Sequence, residues 1–353
     1  MPIQRLKAAY LLNAESFELV YAAGTRASIA ALTDVAATPL TPARLRDVPH
    51  ALRQVEALFS GWGMPLVDDA FLKAAPNLKI IFYAAGAVGS WATPAMFDRG
   101  VRVTSSIHAN SVPVAEYTLS TILFSLKHGW RLTRQTQAQR RFVDRDTVPG
   151  NYGSVVGLIS LGMIGRLVLK MLKPLDLEVI VYDPFLSHAE AKLLGVEKVS
   201  LTEVFERPDV VSVHTPLLPE TQGMIDGALL RSMKRGATLI NTARGKLINQ
   251  PELIDVLRRR PDLQAVLDVC DPEPPAADCP LFDLPNVVLT PHIAGSAGRE
   301  CQRLGHYMLD ELERYLQDKP LRWEVTQEMT YGIADAQKSA DAFPFEPQAA
   351  ATA

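Results

Sequence analysis

Short apolar or β-branched runs alternate with amphipathic segments along most of the chain. In the first hundred residues, the runs "ALFSGWG", "KIIFYAAG" and "VRVTSS" each close on Gly or Ser, and "TPARLRDVPHALRQ" and "DDAFLKAAP" have helical spacing. Strands that alternate with helices are typical of a parallel sheet, because a crossover helix must return the chain to the same edge of the sheet. The first unit is therefore predicted to be α/β.

A long stretch with apolar residues at helical spacing follows, "VPVAEYTLSTILFSLKHGWRLTRQTQAQRRF". Its spacing predicts one long helix over residues 113–134 or beyond. The segment "DTVPGNYG" then interrupts the pattern with Pro and Gly and opens a second unit.

The second unit repeats the alternation more regularly. Its strand-like runs are "SVVGLIS", "EVIVYD", "DVVSVHT", "ATLINTA", "LQAVLDVC" and "NVVLT". Two helix starts carry capping pairs, Ser200 with Glu203 and Asn249 with Glu252. Six strands with helices between them predict a doubly wound sheet, in which ligands bind beyond the carboxyl ends of the strands.

Composition indicates an ordinary soluble globular protein. The chain has 353 residues, 48% of them hydrophobic and 21% charged, with a formal net charge of -3, and this length suggests two domains. The charge gives no reason to expect nucleic acid or an anionic membrane as a partner, and no apolar run approaches the roughly 20 residues that cross a bilayer. The N-terminus lacks a clear signal-peptide pattern, so none is predicted.

The cysteines and the C-terminal segment give weaker indications. Cys270, Cys279 and Cys301 are odd in number and lack C-x-x-C spacing. We therefore expect buried thiols, in keeping with a reducing cytoplasm, and no metal site. The Ala-, Gln- and Pro-rich segment from residue 326 onward is expected to be disordered or weakly packed near its end.

A glycine-containing turn follows the first strand of the second unit. In "LISLGMIG", Gly162 and Gly165 match the last two glycines of the G-x-G-x-x-G pattern, and Ser160 stands at the first. N–H groups near Met163 and Ile164 would bind phosphate at the helix start. A serine can form this turn if its φ is negative. On spacing alone, an ordinary strand–turn–helix is an equally good interpretation.

Asp183 ends the next strand, eighteen residues after Gly165. A carboxylate there can bind both ribose hydroxyls of an adenosine, and it repels a 2′-phosphate. The following "PFLSH" offers no arginine to bind that phosphate. Asp183 therefore favours NAD over NADP, although an aspartate before Pro184 is also a common turn former.

Three chemically active side chains follow strands of the second unit. Arg244 lies in "NTARGKLIN", and a guanidinium can bind a carboxylate through two parallel hydrogen bonds. Glu273 lies in "LDVCDPEPP" and His292 in "TPHIAGSAG". A histidine can exchange a proton with a hydroxyl near neutral pH, and a nearby carboxylate orients its ring. Each residue alone is more often structural, but the combination at the strand ends of one sheet favours catalysis.

These segments together resemble the D-isomer-specific 2-hydroxyacid dehydrogenase family. The similar stretches are "LGMIG", "VYDP", "VSVHTPLLPET", "NTARGKLIN", "LDVCDPEPP" and "TPHIAG", in the family's order, and "HANSVPVAEYTL" resembles the segment that enters the family's long helix. The resemblance implies an NAD-dependent oxidoreductase with two α/β, Rossmann-like or flavodoxin-like domains, each a doubly wound parallel sheet. It also implies a homodimer formed through the long helix, and an active site in an interdomain cleft.

The implied domain organisation has the cofactor domain inserted into the substrate domain. Residues 1–112 and 297–325 would form the substrate domain, residues 113–296 the NAD-binding domain, and residues 326–353 a tail.

The resemblance also implies roles for individual residues. Arg244 would bind the carboxylate and carbonyl of the substrate, His292 would be the general acid/base, and Glu273 would pair with it. Hydride would move between the nicotinamide C4 and the 2-carbon of the acid, with Asp268 holding the carboxamide. The positions expected at the cofactor are Ser160, Gly162, Met163, Ile164, Gly165, Asp183, His214, Thr215, Pro216, Thr221, Thr242, Ala243, Asp268 and Gly295.

In the first unit, "YAAGAVGS" resembles the family loop that binds the substrate carboxylate through backbone N–H groups, here at Gly86, Ala87 and Val88. Val88 replaces the usual second glycine, and Ser90 replaces an aspartate. No arginine precedes the loop, although members that act on phosphorylated substrates often have one. The expected substrate is therefore a small, unphosphorylated 2-hydroxy or 2-oxo acid.

Several alternatives stay open at this point. Trp62 and Trp91 could shape an apolar pocket or simply pack in the core. The fold also serves as an NAD-sensing, corepressor-like scaffold in which catalysis is secondary. Formate and phosphite dehydrogenases share the architecture, but the former are expected to have glutamine at the position of Glu273, and the latter would need an extra cation that the sequence does not identify.

Overall fold

The computed structural model of the chain describes residues 5–331. Two compact units make up the fold: one combines residues up to Asn110 with residues from Ser296 onward, and the other is Ser111–Gly295. The second unit is therefore an insertion in the sequence of the first. The assignment of residues 1–112 and 297–325 to a substrate domain and of residues 113–296 to a cofactor domain stays a prediction.

The first unit contains a five-stranded parallel sheet with the strand order β2-β1-β3-β4-β5. Its strands are β1 (Leu6–Leu11), β2 (Thr33–Val35), β3 (Ala57–Ser60), β4 (Ile80–Tyr83) and β5 (Arg102–Ser105). Its helices are α1 (Ala14–Val20), α2 (Ala23–Leu32), α3 (Pro42–Asp47), α4 (Asp69–Ala74), α5 (Pro94–Asp98) and, after the inserted unit, α13 (Glu300–Leu316) and α14 (Gln327–Tyr331). β1 and β2 were not predicted. Only two residues separate β1 from α1, so the apolar run of the strand merges with that of the helix. β2 has only three residues, which is too short for a recognisable pattern.

Apolar side chains cover both faces of this sheet. On one face the rings of Tyr10, Tyr21 and Phe59 lie within 5.2–6.1 Å of one another, and α13 packs against the same cluster. Gly305 permits this approach, because a Cβ there would lie 2.2 Å from the carbonyl oxygen of Val20. Strands buried on both faces appear in a sequence as continuous apolar runs, which is why most of them could be recognised.

The second unit contains a seven-stranded parallel sheet with the order β12-β11-β10-β9-β6-β7-β8. Its strands are β6 (Ser154–Ile159), β7 (Leu177–Tyr182), β8 (Glu197–Lys198), β9 (Val210–Val213), β10 (Thr238–Asn241), β11 (Gln264–Leu267) and β12 (Val287–Leu289). Its helices are α6 (Ile107–Ser125), whose first turn begins in the first unit, α7 (Gly129–Gln139), α8 (Met163–Leu172), α9 (His188–Leu194), α10 (Glu203–Glu206), α11 (Gly227–Ser232) and α12 (Gln250–Arg259). The prediction of six strands missed β8, which is an edge strand of two charged residues.

The predicted single long helix is wrong, because the structure has two helices there. α6 ends at Ser125 and α7 begins at Gly129, and between them His128 has a left-handed φ of 48°. Gly129 allows the turn to be tight, since a Cβ at that position would meet the ring of Phe124. Helical spacing of apolar residues continues through the break, so the pattern alone did not reveal it.

Both predicted capping pairs form hydrogen bonds, although α10 itself begins only at Glu203. Ser200 and Glu203 form a reciprocal capping box: each backbone N–H donates to the other's side chain, at 2.9 and 3.2 Å. The Oδ1 of Asn249 accepts the N–H of Glu252 at 3.4 Å, and its amide donates to the carboxylate of Glu252. Such pairs depend on residues three positions apart, so local sequence is sufficient to identify them.

The cysteines are buried and free, as expected. The C-terminal segment begins with the short helix α14, and the part for which disorder was expected, from residue 332, lies outside the described residues. None of the helices within residues 5–331 combines the length and apolar character that crossing a membrane requires.

Candidate active site

The candidate residues of the second unit lie in loops after its parallel strands. β6, β7 and β8 extend the sheet in one direction and β9 to β12 in the other, so the strand order reverses between β6 and β9. Crevices for ligands form at the carboxyl edge beside such a reversal. The glycine turn follows β6, Asp183 follows β7, and His214 follows β9, so all three lie at this place in the sheet.

The glycine turn presents free backbone donors. Among the described residues, none accepts a hydrogen bond from the N–H groups of Gly162, Met163 or Ile164 at the start of α8. A Cβ on Gly162 would have no atom within 4 Å, so the space above it is open. A Cβ on Gly165 would lie 2.3 Å from the carbonyl oxygen of Ser160, so only glycine lets the helix approach the turn. This arrangement suits a pyrophosphate.

Ser160 differs from expectation. A serine was considered compatible with this turn if its φ were negative, but its φ is +75°, the left-handed conformation that usually calls for glycine. The Oγ atoms of Ser160 and Thr215 share a hydrogen bond of 3.0 Å, and the N–H of Ser160 donates to the carbonyl of Tyr182 at 2.7 Å. The turn therefore keeps the geometry of the glycine pattern although the residue is serine.

Asp183 is buried and binds backbone groups within the second unit. Its Oδ2 accepts the N–H of Leu161 at 2.8 Å, and its Oδ1 accepts those of Phe185 and Leu186 at 2.8 and 3.2 Å. The carboxylate thus ties the glycine turn to the loop after β7. Since each carboxylate oxygen has about two acceptor sites, Oδ2 keeps one for another donor.

His214 is a buried imidazole after β9. Its Nε2 lies 3.0 Å from the Oγ of Ser212, and its Nδ1 has no partner in the described part of the chain. Burial lowers the pKa of His214 to about 4, so the ring is neutral at physiological pH. In the same loop, the hydroxyl of Thr221 donates to the carbonyl of Pro216 at 2.7 Å and accepts the N–H of Leu218 at 2.8 Å, which closes the turn.

His292 and Glu273 form a pair. The Nδ1 of His292 lies 2.5 Å from the Oε1 of Glu273, and both side chains are partly exposed. An ionised carboxylate can only accept a hydrogen bond, so Nδ1 carries the hydrogen and Nε2 remains available for a proton transfer. The two residues predicted to act together are therefore in contact.

Asp268 supports the loop that carries His292. It is 2% exposed, and it accepts hydrogen bonds from the Oγ1 of Thr290 at 2.6 Å and from the N–H groups of Ile293 and Ala294, both at 2.9 Å. His292 itself has a φ of +54°, and its N–H donates to the carbonyl of Asp268 at 3.0 Å. The carboxylate therefore fixes the backbone on both sides of the histidine, while its expected contact with a carboxamide stays a prediction.

Arg244 is exposed at the end of β10, and a residue that sequence reasoning did not select holds its backbone. The amide of the buried Asn241 donates to the carbonyl of Arg244 at 2.9 Å and accepts the N–H of Ala243 at 3.0 Å. A Cβ on Gly245 would lie 2.1 Å from the backbone of Cys270, so glycine lets this loop pack against the loop after β11. Asn241 lies in "NTARGKLIN" at the end of β10, and this position of a polar residue at a strand end could have identified it from the sequence.

Gln250 is a second residue that was missed. Its Nε2 donates to the carbonyl of Asp271 at 2.7 Å, and its Oε1 accepts the N–H of the same residue at 2.9 Å. The side chain thus fixes the loop that carries Glu273, two residues further on. Nothing local in the sequence indicates this contact, since 21 positions separate the partners.

The three candidate catalytic side chains follow three neighbouring strands. β10 pairs with β11 and β11 pairs with β12, all parallel, and Arg244, Glu273 and His292 follow them in that order. Adjacent strands lie about 4.8 Å apart. Thr242 and Ala243 share the loop of Arg244, and the hydroxyl of Thr242 lies 3.3 Å from that of Thr118.

In the first unit, the loop after β4 has its own unpaired donors. In the described part of the chain, no acceptor faces the N–H groups of Gly86, Ala87 or Val88. Ser105 holds the loop, because its hydroxyl donates to the carbonyl of Gly86 at 2.6 Å. Three successive free N–H groups can bind a carboxylate.

Comparison with known proteins decides the family. The sequence model described as "D-isomer specific 2-hydroxyacid dehydrogenase, NAD binding domain" matches residues 119–294. An (S)-sulfolactate dehydrogenase of Chromohalobacter salexigens is 32% identical over 253 residues, which cover 71% of this chain and 81% of that protein. The chain belongs to the D-isomer specific 2-hydroxyacid dehydrogenase family.

Other members are similar over different extents. A D-3-phosphoglycerate dehydrogenase of Mycobacterium leprae is 35% identical over 242 residues, 68% of this chain, but the chain spans only 45% of that relative's length. The apo D-mandelate dehydrogenase of Rhodotorula graminis is a structural neighbour with a TM-score of 0.77 and 26% identity, covering 91% of this chain and 98% of that one.

The family's NAD-binding domain thus coincides with the second unit, and its residues fit NAD. The free N–H groups after Gly162 suit the pyrophosphate, and the remaining acceptor site of Asp183 suits a ribose hydroxyl. NAD is therefore the cofactor of this unit, as the sequence predicted.

A cavity of about 370 Å³ lies elsewhere in the second unit. It is lined by residues of α7 and by residues at the amino ends of β10 and β11, among them Arg134, Thr238 and Gln264. That is the opposite edge of the sheet from His292 and Arg244. The candidate active site comprises the free backbone N–H groups after β6 and the pair of His292 and Glu273, and it does not include this cavity.

Proposed function

We propose that the protein is an NAD-dependent dehydrogenase that interconverts a small, unphosphorylated D-2-hydroxy acid and its 2-oxo acid. The observation that carries the proposal is the contact of His292 with Glu273 at strand ends that neighbour the loop of Arg244. A proton-exchanging ring with an orienting carboxylate, next to a cation that can hold a carboxylate, is what reduction of a 2-oxo acid requires.

The residues divide the reaction between them. NAD supplies hydride exchange at the nicotinamide C4 when it is bound. During reduction, negative charge develops on the carbonyl oxygen of the substrate, the guanidinium of Arg244 stabilises that charge, and His292 delivers its Nε2 proton to the oxygen. Glu273 keeps the Nδ1 hydrogen in place and orients the ring. In the oxidation direction, His292 takes the hydroxyl proton.

The guanidinium of Arg244 is proposed to bind the substrate carboxylate. The free N–H groups of residues 86–88, in the loop after β4 of the first unit, are proposed as a carboxylate-binding loop. The name of the M. leprae relative indicates a phosphorylated substrate for that protein. In this chain Tyr83 and Ala84 precede the loop, and no Arg or Lys stands there. A phosphate would lack a cation at this position, which supports an unphosphorylated acid.

The experiment is an NADH oxidation assay with glyoxylate, pyruvate, hydroxypyruvate and longer 2-oxo acids. We expect turnover with wild-type protein, and a loss of kcat of about 100-fold or more in His292→Asn and Arg244→Ala. NADH binding, followed by fluorescence, should persist in both variants. NADH binding without turnover of any 2-oxo acid would instead favour the NAD-sensing scaffold.

The proposal includes a homodimer. Large apolar side chains are exposed in the segment from the end of α6 to β6: Phe142 is 93% and Tyr152 is 87% exposed. Exposed apolar groups of this kind often mark a protein interface. Light scattering should give twice the chain mass for wild type and a shift toward monomer for Phe142→Ser. A wild-type monomer would contradict the dimer but not the chemistry.

A further inference from the structure

The loops that follow β1 to β4 carry no cationic side chain. They comprise residues 12–13, 36–41, 61–68 and 84–93, where no Lys, Arg or His occurs and Asp68, the N-cap of α4, is the one charged residue. All four strands are parallel, so these loops share one edge of the sheet. It is the edge at which ligands bind in such sheets. An anionic group brought there would find no cation in these loops.

The loop after β3 presents apolar side chains instead. Trp62 and Met64 are partly buried against the core, and Leu66 is 54% exposed. We call these three residues the apolar wall. They follow one another at alternate positions in "GWGMPLV", a stretch without a polar side chain.

The apolar wall lies beside the loop of free N–H groups. β3 pairs with β4 so that Ser60 is opposite Tyr83, and the N–H of Ala84 donates to the carbonyl of Ser60 at 2.9 Å. The two loops therefore leave the sheet from adjacent strand ends. A molecule whose carboxylate binds residues 86–88 would place its next substituent near the neighbouring loop.

Backbone contacts hold the apolar wall in place. The N–H of Met64 donates to the carbonyl of Gly61 at 3.2 Å, and the N–H of Asn13 donates to the carbonyl of Trp62 at 2.9 Å. Gly63 has a φ of +93°, and a Cβ there would collide with the amide of Asn13. The loop is therefore a formed surface that needs little ordering when a ligand binds.

We infer that Trp62, Met64 and Leu66 contact the side chain of the substrate, and that the preferred substrates are 2-oxo acids with uncharged, apolar side chains of three or more carbons. This inference rests on the proposed function. An apolar side chain gains by leaving water at this surface. A phosphate, sulfonate or second carboxylate would lose hydration there without a compensating cation.

The first test is a substrate series with the full-length wild-type protein. For pyruvate, 2-oxobutanoate and 2-oxopentanoate, kcat/KM should rise about fourfold for each added methylene, the factor that corresponds to ~0.8 kcal/mol. 4-Methyl-2-oxopentanoate should be at least as good as 2-oxopentanoate. Oxaloacetate, 3-sulfopyruvate and 3-phosphohydroxypyruvate should each have a kcat/KM at least tenfold below that of 2-oxobutanoate.

Two variants connect this preference to the apolar wall. Trp62→Ala should reduce the ratio of kcat/KM for 4-methyl-2-oxopentanoate to that for glyoxylate, which has no side chain, by about tenfold or more. Leu66→Arg should lower kcat/KM for the apolar series and raise it for 3-sulfopyruvate. Leu193→Arg is the matched control, because Leu193 is 87% exposed at the end of α9, and it should leave both values unchanged.

The outcomes separate this inference from the proposed function. If glyoxylate or pyruvate is reduced but kcat/KM is flat or falls along the series, or an anionic acid is preferred, the inference is overturned and the dehydrogenase activity stands. The inference is also overturned if Trp62→Ala keeps the wild-type ratio. If no 2-oxo acid is reduced although NADH binds, both proposals fail.

Discussion

Ser160 allows a direct measurement of what a side chain costs in the glycine turn. Its φ is +75°, and a residue with a Cβ in the left-handed region is less stable by ~1–2 kcal/mol than in a favoured conformation. The bond of its Oγ to the Oγ1 of Thr215, at 3.0 Å, offsets about 0.5–1.5 kcal/mol of that cost. The net effect of Ser160 on the free energy of unfolding is therefore close to zero.

The variants Ser160→Ala and Ser160→Gly separate the two contributions. Alanine loses the hydrogen bond but keeps the Cβ, so the free energy of unfolding should fall by ~1 kcal/mol. Glycine also loses the bond but relieves the strain, at a conformational entropy cost of about 0.5–1 kcal/mol in the unfolded chain. Ser160→Gly should therefore be more stable than Ser160→Ala by ~1 kcal/mol and close to wild type.

Thermal and urea unfolding of the full-length protein would measure this difference, which corresponds to about 2–4 °C in Tm for a unit of this size. Ser232, at the end of α11, is the matched control because its backbone is helical. There the order should reverse, with alanine more stable than glycine. An alanine variant at position 160 as stable as the glycine variant would refute the argument from backbone strain.

Three further predictions concern other positions. Gln250→Ala should lower kcat about tenfold and leave the Kd for NADH unchanged, because only the loop of Glu273 loses its support. A tenfold weaker binding of NADH in titrations would contradict this. Gly165→Ala should lower the free energy of unfolding by about 1–3 kcal/mol and weaken NADH binding, since its Cβ would meet the turn; unchanged urea and fluorescence titrations would disprove it. Burial lowers the pKa of His214 to about 4, whereas the same side chain in the unfolded chain takes up a proton near pH 6.5. Between these two pH values only the unfolded chain binds the proton, so the free energy of unfolding should fall by about 3 kcal/mol as the pH drops from 6.5 to 4. In His214→Asn, the free energy of unfolding measured with urea should depend less on pH in this window.

The sequence by itself determined the fold class, the family and most candidate residues. Parallel strands buried on both faces leave apolar runs that can be recognised without coordinates, as in "SVVGLIS". The candidate catalytic side chains follow such strands at short distances, so Arg244, Glu273 and His292 could be selected from the motifs alone. Helix caps at Ser200 and Asn249 were equally accessible, since their partners are three residues away.

Only the tertiary structure decided the features that depend on distant neighbours. The positive φ of Ser160 is accompanied by contacts with Tyr182 and Thr215, and Gln250 supports the candidate catalytic loop of Glu273 from 21 positions away. The break between α6 and α7 and the two-residue strand β8 likewise have no strong local pattern. Periodicity reports which side of a segment is buried, but it carries no information about which remote backbone group a polar side chain will bind, because that choice is made when the chain packs.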